Sequence, residues 1–370
     1  MLRTEALVDL AAIRDNVATL KAGTSSAVLA VVKADGYGHG LVPSARAALA
    51  GGATWLGTAV ISEAIALRDA GITEPALAWL WTPDETDAVA RAVAADIDLS
   101  VSSRWQLDAV VSAAEATGRQ ARIHLKIDTG LSRNGSTSDD WPDLVAATAK
   151  TDAVRPVGVW SHFAYADAPG HPTIARQIDR FTDAVGVAER AGLHIEIRHL
   201  ANSAATLSLP AAHFDLVRPG IAIYGLNPVP QLGDVGLTPA MTLRAGLASA
   251  KRVRAGEGVS YGHEYTTSRE TTLALVPLGY ADGIPRSASN VGPVSIGGER
   301  FTISGRVCMD QFVVDVGDLD VHEGDAAVLF GSGREGEPTA QDWADATGTI
   351  HYEIVTRIGP RVTRTYVGES

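Results

Sequence analysis

Residues 28–40 read VLAVVKADGYGHG: a continuous apolar run, one lysine, and then a polar segment broken by glycines. The run at 28–32 is rich in β-branched side chains and does not alternate, the pattern of a strand buried on both faces in a parallel sheet. Lys33 sits at the carboxyl end of that strand. An amine at the rim of an apolar layer loses hydration, which lowers its pKa and makes the neutral, nucleophilic form available near neutral pH. The glycines at 36, 38 and 40 let the backbone turn tightly, and Tyr37 offers a phenol four residues past the amine. Taken by themselves these residues favour the plainer reading of a solvated lysine that caps a strand before an ordinary turn.

The rhythm that starts here continues. Apolar runs suited to buried strands recur at 54–59, 76–80, 96–101, 121–127, 155–161, 194–200 and 214–217, making eight with the first. Alanine-rich, helix-prone segments lie between them at 62–70, 83–95, 104–117, 140–150 and 173–191. Ahead of the first run, Leu10, Ile13, Val17 and Leu20 are spaced three to four apart and predict a helix over 9–22 with Asp9 as its N-cap. Strands alternating with helices imply a parallel sheet, and eight units match a closed (β/α)8 barrel better than an open doubly wound sheet. No GxGxxG follows the first strand, which counts against a dinucleotide fold.

Beyond residue 235 the texture changes to short β-prone segments separated by glycine turns, MTLRAGLASAKRV, TLALVPLG, PVSIGG, RFTISGRV, QFVVDVG and AAVLFG, with one clear helical stretch at 340–347. The expected organisation is an α/β chain with a barrel over 1–235 and a smaller, mainly β domain over 236–370. The junction falls in NPVPQLGDVGLTP, residues 227–239.

Whole-chain properties narrow the function classes. At 370 residues the chain is too long for one ordinary core, and its 46% hydrophobic content excludes wholesale disorder. The net charge of −12, with basic residues spread along the chain, argues against nucleic-acid and anionic-membrane partners. The single cysteine, Cys308, cannot form an intramolecular disulfide or a cysteine-rich metal site and favours a reducing compartment, so a cytoplasmic location is expected. Arg3, Glu5, Asp9 and Arg14 interrupt the amino-terminal segment, and no charge-free run reaches the roughly 18 residues a membrane span requires.

A barrel places its chemistry at the carboxyl ends of its strands. Lys33 ends the first expected strand, Asp128 and Arg133 follow the fifth, His162 ends the sixth, Asn202 and Ser203 follow the seventh, and Arg218 ends the eighth. An amine, an imidazole and two guanidiniums converging there point to a site for an anionic ligand. The eighth strand runs into RPGIAIYG, where Gly220 and Ile221 can present backbone N–H groups to a phosphate. A lysine with a phosphate cradle suits pyridoxal phosphate (PLP), and equally a Schiff-base sugar-phosphate aldolase. His39, His124 and His351 lack metal-ligand spacing with carboxylates, so no catalytic metal is expected.

AVVKADGYGHG, HLKIDTGLSRNG, SHFAYAD, HLANSAA, RPGIAIYG, VSYG, LGYADG and GRVCMDQ occur in this order. Together they make the chain resemble bacterial alanine racemases, fold-type III PLP enzymes, over essentially its full length. The resemblance implies interconversion of L- and D-alanine for peptidoglycan precursors. It implies that Lys33 bonds to the cofactor and acts as one of two acid/base groups, with Tyr261 as the other. Tyr37, Ser203, Gly220, Ile221 and Tyr352 would hold the phosphate, with Asn202 beside them, and Arg218 would face the pyridine nitrogen. Arg133 matches the arginine beside the phenolic oxygen, His162 the imidazole near the ring, and His199 a partner linking Tyr261 to Arg218. Lys126 matches a lysine often carried as a carbamate that orients Arg133. Met309 and Arg133 would bind the substrate carboxylate, with Asp310 in support, and Arg306, Asp167, Ile350 and Tyr280 match an access corridor. The resemblance also implies a homodimer whose sites are shared between subunits. One departure stands out: Ser132 occupies a position where many members have glycine.

The implied chemistry explains the residue types. Racemisation removes an α-proton from one face and returns one to the other, so two proton-transfer groups must flank the substrate. The competing readings are a racemase that also accepts serine or lysine, a fold-related decarboxylase, and a non-enzymatic PLP carrier. The decarboxylase scheme places an acid at the pyridine nitrogen, where this chain offers Arg218, and the β domain with Tyr261 argues against the carrier. Residue by residue, Tyr261 and Tyr280 read alternatively as aromatic core, His162 and His199 as satisfied core histidines, and Arg306 with Asp310 as a solvated ion pair.

Overall fold

The computed structural model describes residues 3–368. The chain opens with strand β1 (Thr4–Asp9) and a helix, Leu10–Ala22, whose first turn is capped by the Asp9 carboxylate accepting from the Ala12 N–H at 3.1 Å. Eight parallel strands follow: β2 (Ala27–Val31), β3 (Trp55–Thr58), β4 (Ala76–Ala78), β5 (Asp98–Val101), β6 (Ala121–Lys126), β7 (Val154–Trp160), β8 (Ile197–His199) and β9 (Leu216–Val217). Their order in the sheet is β8-β7-β6-β5-β4-β3-β2-β9, and its two ends meet through backbone hydrogen bonds from Asp215 N to Arg198 O (3.0 Å) and Arg218 N to Ala201 O (2.9 Å). The sheet is thus a nearly closed (β/α)8 barrel. An exposed ion pair, Arg198 with Asp215 at 2.7 Å, braces the same seam.

Each barrel strand lies within a few residues of the apolar run that predicts it. Val28, Leu29, Leu56, Leu77, Leu99, Ile123, Leu125, Val159 and Val217 have no exposed surface, as expected where helices cover one face and barrel layers fill the other. Burying such side chains contributes roughly 1.5–3 kcal/mol each against the entropy of ordering the chain. The helices between strands include Ile61–Asp69, Thr86–Ala94, Arg104–Thr117, Trp141–Thr148 and Pro172–Arg190.

The second compact unit is built mainly of strands and is not one continuous stretch: residues up to Ala12 and Tyr37–Gly40 group with Thr238 onward, while Ile13–Gly36 and Leu41–Leu237 form the barrel unit. Its strands are β10 (Met241–Gly246), β11 (Ser249–Val253), β12 (Gly258–Val259), β13 (Tyr265–Thr266), β14 (Thr271–Val276), β15 (Pro293–Ile296), β16 (Glu299–Thr302), β17 (Phe312–Gly317), β18 (Ala326–Phe330) and β19 (Thr363–Val367). One sheet has the order β16-β15-β18-β10-β1-β19, and a second runs β11-β14-β17. Strand β1, antiparallel to β10 and parallel to β19, has no local partner. A capping box between Thr339 and Asp342 starts the helix Ala340–Thr347, and a second helix, His351–Thr356, follows. Among the described residues no helix is long and apolar enough to cross a membrane.

Candidate active site at the barrel mouth

Immediately after β2 the backbone leaves the ordinary regions. Ala34, Asp35, Gly36 and Tyr37 have φ of 53°, 52°, 61° and 51°, a left-handed turn in which three of four residues are not glycine. Left-handed non-glycine residues cost about 1–2 kcal/mol each and persist only where surrounding contacts impose them. Those contacts are present: the Glu63 carboxylate accepts from Ala34 N (2.6 Å), Asp35 Oδ1 accepts from Leu41 N (2.8 Å), and Gly36 N donates to Val32 O (2.8 Å). A Cβ at Gly36 would come within 2.7 Å of Ser44 Oγ, so any larger residue there would have to displace Ser44. The strain holds Lys33 at the strand end, with its amine 5.7 Å from the centre of the Trp79 ring. Burial lowers its pKa, the positive charge of Arg133 lowers it further, and Glu63 opposes the shift.

Deeper in the barrel, Lys126 ends β6 with only 6% of its surface exposed and its Nζ 4.2 Å from the Trp160 ring centre. Burial first, then the charges of Arg218 and Arg133, pull its pKa down to about 7. Arg218 Cζ lies 4.8 Å from the same ring. Its Nη2 donates to Ser161 O (2.7 Å), Leu200 O (3.2 Å) and His162 Nδ1 (3.4 Å), and Nη1 donates to His199 Nδ1 (3.2 Å). Burial lowers the guanidinium's pKa to about 9, which leaves it charged at neutral pH. Both imidazoles are held well below their ordinary range, by burial first and then by the Arg218 charge.

The two histidines differ in what remains available. His199 uses Nδ1 for Arg218 and Nε2 for His124 at 2.8 Å, all within the barrel unit. Both His199 ring nitrogens are thus engaged inside the barrel, and His162 is the half-buried imidazole on Arg218.

Beside Arg218, the Ser203 hydroxyl accepts from Gly220 N (2.7 Å) and Ala222 N (3.3 Å), so two amides converge on one buried side chain. Ile221, between them, is fully buried. Asn202 Oδ1 accepts from Ala205 N (3.1 Å) and thereby caps the short helix Ser203–Ser208. Asp128 Oδ1 accepts from the amides of Gly130, Leu131 and Ser132 and shapes the loop that carries Arg133. Ser132 has φ 56°, which is why glycine suits that position better. Asp167 is exposed on the loop after β7 that also carries His162.

The second unit carries the remaining candidates. Tyr37 is buried with its ring centre 6.3 Å from that of Tyr352, and burial followed by Tyr352 raises its pKa. Tyr261 follows Ser260, another left-handed non-glycine residue (φ 62°), and is 73% exposed. Ser260 Oγ donates to Arg306 O (2.7 Å), and a Cβ at Gly262 would meet the Arg306 guanidinium at 3.1 Å. Tyr280 N and Ala281 N donate to Cys308 O (3.1 Å) and Met309 O (2.9 Å). Tyr261, Arg306, Met309 and Tyr280 therefore sit on adjoining loops. Tyr280, Met309 and Ile350 are exposed, which removes the reading of Tyr261 and Tyr280 as aromatic core. Arg306 and Asp310 are not paired with each other: Arg306 bridges Glu264, and Asp310 bridges Arg361 at 2.7 Å.

Two positions escape sequence reading. Trp160, whose ring lies near both Lys126 and Arg218, is one tryptophan among apolar strand residues. Glu63, which anchors the Lys33 turn, looks like any acidic residue in a first helical turn.

Comparison with known proteins identifies the family. Residues 8–228 match the family pattern "Alanine racemase, N-terminal domain" and residues 240–366 match "Alanine racemase, C-terminal domain". The chain is 61% identical to alanine racemase of Frankia casuarinae, covering 99% of this chain and 97% of that protein. It is also 61% identical to the enzyme of Salinispora arenicola, covering all of both. The crystal structure of alanine racemase from Streptomyces lavendulae superposes with a TM-score of 0.98 at 55% identity, covering 100% of this chain and 98% of that one. The Bacillus anthracis enzyme with bound L-Ala-P gives 0.93 at 33% identity, covering 100% and 96%. The chain belongs to the alanine racemase family.

Proposed function

We propose that the chain interconverts L- and D-alanine by a two-base exchange that uses PLP, with Lys33 and Tyr261 as the proton-transfer groups, and so supplies D-alanine for peptidoglycan. The observation that carries this reading is the excess of positive charge at the barrel mouth. Lys33, Lys126, Arg133 and Arg218 act on one another electrostatically, whereas the nearby carboxylates of Glu63 and Asp128 are engaged with backbone amides. Such a cluster fits a ligand with a phosphate and a phenolic oxygen. The Ser203 hydroxyl with the Gly220 and Ala222 amides fits the phosphate, joined in this reading by Ile221, Tyr37 and Tyr352. Arg218, a donor-only group in place of a carboxylate, fits a pyridine nitrogen that accepts a hydrogen bond.

Bound PLP supplies an electron sink that stabilises negative charge at the substrate Cα. The chain's own groups do the rest. Desolvation favours the neutral amine of Lys33, the form able to take a proton from one face of Cα. Tyr261 returns a proton to the other face, with His162 on Arg218 as the imidazole that would carry charge toward it. Arg133 and Met309 would orient the substrate carboxylate, Asp310 supporting them, and Arg306, Asp167, Ile350 and Tyr280 would line its approach. The lowered Lys126 pKa supports a carbamate there: the neutral amine adds CO2 and releases one proton, giving an anion that would face Arg133.

A proton-transfer tyrosine that is 73% exposed on one chain needs a cover that excludes water. Together with exposed Met309, Tyr280 and Ile350, this supports a homodimer in which a second copy covers the loops. Chiral analysis of the purified protein, supplied with PLP and either L-alanine or L-serine, tests the substrate reading. D-alanine is the expected product. Its absence overturns the reading, and comparable turnover of serine replaces it with a broader racemase.

A further inference from the structure

Across the barrel interior four side chains from different strands join into one string. Asp98 on β5, His124 on β6, His199 on β8 and Arg218 after β9 are linked by Asp98 Oδ2 to His124 Nε2 (2.9 Å), His124 Nδ1 to His199 Nε2 (2.8 Å), and His199 Nδ1 to Arg218 Nη1 (3.2 Å). Asp98, His124 and His199 have no exposed surface, and Arg218 has 4%. The space is prepared for them. Gly158 on β7 lies where a Cβ would meet His124 Nδ1 at 2.5 Å, the His199 ring stacks on Trp160 at 5.6 Å between centres, and Arg122 holds Asp98 Oδ1 at 2.6 Å from the far side.

The direction of every hydrogen bond in the string follows from its two ends. An ionised carboxylate can only accept, and a guanidinium can only donate. His124 must therefore carry a proton on Nε2, and His199 must have none on Nδ1. If both rings are neutral, one proton lies in each contact: His199 Nε2–H donates to His124 Nδ1, and His124 Nε2–H donates to Asp98. A second proton on His124 would force His199 into the tautomer with Nδ1–H, aimed at the N–H of Arg218. A second proton on His199 produces the same clash. One assignment satisfies all three contacts.

We propose that Asp98 and His124 are positioning residues for the racemase site: they fix His199 as the tautomer whose bare Nδ1 orients Arg218. The string also runs from the buried guanidinium to the Asp98 carboxylate, itself paired with Arg122, and polarises the two imidazoles between them. The proton assignment stands on geometry alone. Its link to turnover rests on the reading of Arg218 given above.

Neutron diffraction of the full-length protein tests the assignment, with deuterium expected on Nε2 of both His124 and His199 and on neither Nδ1. Deuterium on His199 Nδ1 overturns the proposal whatever the protein's activity. The link to turnover is tested with two variants. His124→Gln keeps an amide donor for Asp98 and an oxygen acceptor for His199, whereas His124→Leu keeps bulk and loses both. The leucine variant should lose about tenfold or more in kcat with little change in KM, and glutamine should recover most of that loss. Equal activity of the two variants shows that packing alone matters and overturns the positioning role. If the leucine variant does not fold, the glutamine variant decides: a loss in kcat as large as that of Arg218→Lys sinks the proposal. A wild-type protein inactive on alanine while showing the expected deuterium positions would refute the functional reading and leave the tautomer assignment intact.

Discussion

The Lys126 amine lies 4.2 Å from the centre of the Trp160 ring and is almost fully buried, yet its strand end also faces the charges of Arg218 and Arg133. Its folded-state pKa of about 7 against an ordinary lysine value near 10.4 fixes a sign. Between those values the unfolded chain holds a proton that the folded chain does not, so folding stability contributed by this group rises with pH across that window. Chemical denaturation at several pH values should show a positive slope for wild type relative to Lys126→Met. The same slope in both proteins would remove Lys126 as its source. Carbon-13 spectra in labelled bicarbonate should show a carbamate resonance that Lys126→Met abolishes.

Arg218 should not be replaceable by lysine. A single ammonium cannot span Ser161 O, Leu200 O and two imidazoles, and each lost hydrogen bond costs about 1 kcal/mol before any effect on a ligand. Arg218→Lys should lower stability by about 3 kcal/mol in urea titrations and weaken PLP binding measured by dialysis. A variant of unchanged stability would mean that the network contributes little to the fold.

These predictions rest on features of unequal legibility in the sequence. The barrel is readable where strands buried on both faces are apolar throughout, so β2 (AVLAV) stands out as an unbroken run, whereas β6 (ARIHLK) is interrupted by the polar residues it sends into the barrel. Strand β1 is not, because Glu5 pairs with Arg244 and Thr363, and no local turn signals so distant a partner. Lys33 is conspicuous, whereas the strained turn behind it is hidden: glycine at 36 suggests a left-handed residue, but nothing marks Ala34 or Asp35 as two more. Likeness to a family transfers a residue's name but not the direction of its ring: the engagement of both His199 nitrogens with His124 and Arg218 inside the barrel is not legible in the sequence.

Ser132 offers a stability test of that loop. Its φ of 56° costs a non-glycine residue about 1 kcal/mol, while its amide bond to Asp128 Oδ1 does not depend on the side chain. Ser132→Gly should gain up to about 1 kcal/mol in thermal denaturation. A loss would show that the serine hydroxyl makes a contact outweighing the strain.

The arrangement of bases makes its sharpest prediction about pairs of chains. If Lys33 of one copy works with Tyr261 of another, Lys33→Ala and Tyr261→Phe should each be inactive as homodimers, since each lacks one proton-transfer group at every site. When the two variants are unfolded together and refolded with PLP, half of the dimers formed by random pairing are mixed. In a mixed dimer one site combines intact Lys33 with intact Tyr261, and the other has lost both. Activity should therefore recover to about a quarter of wild type, half of the dimers each carrying one working site. If both groups came from the same chain, every site in a mixed dimer would still lack one of them, and no activity would return. The recovered fraction thus separates a shared site from a self-contained one without any change to the substrate.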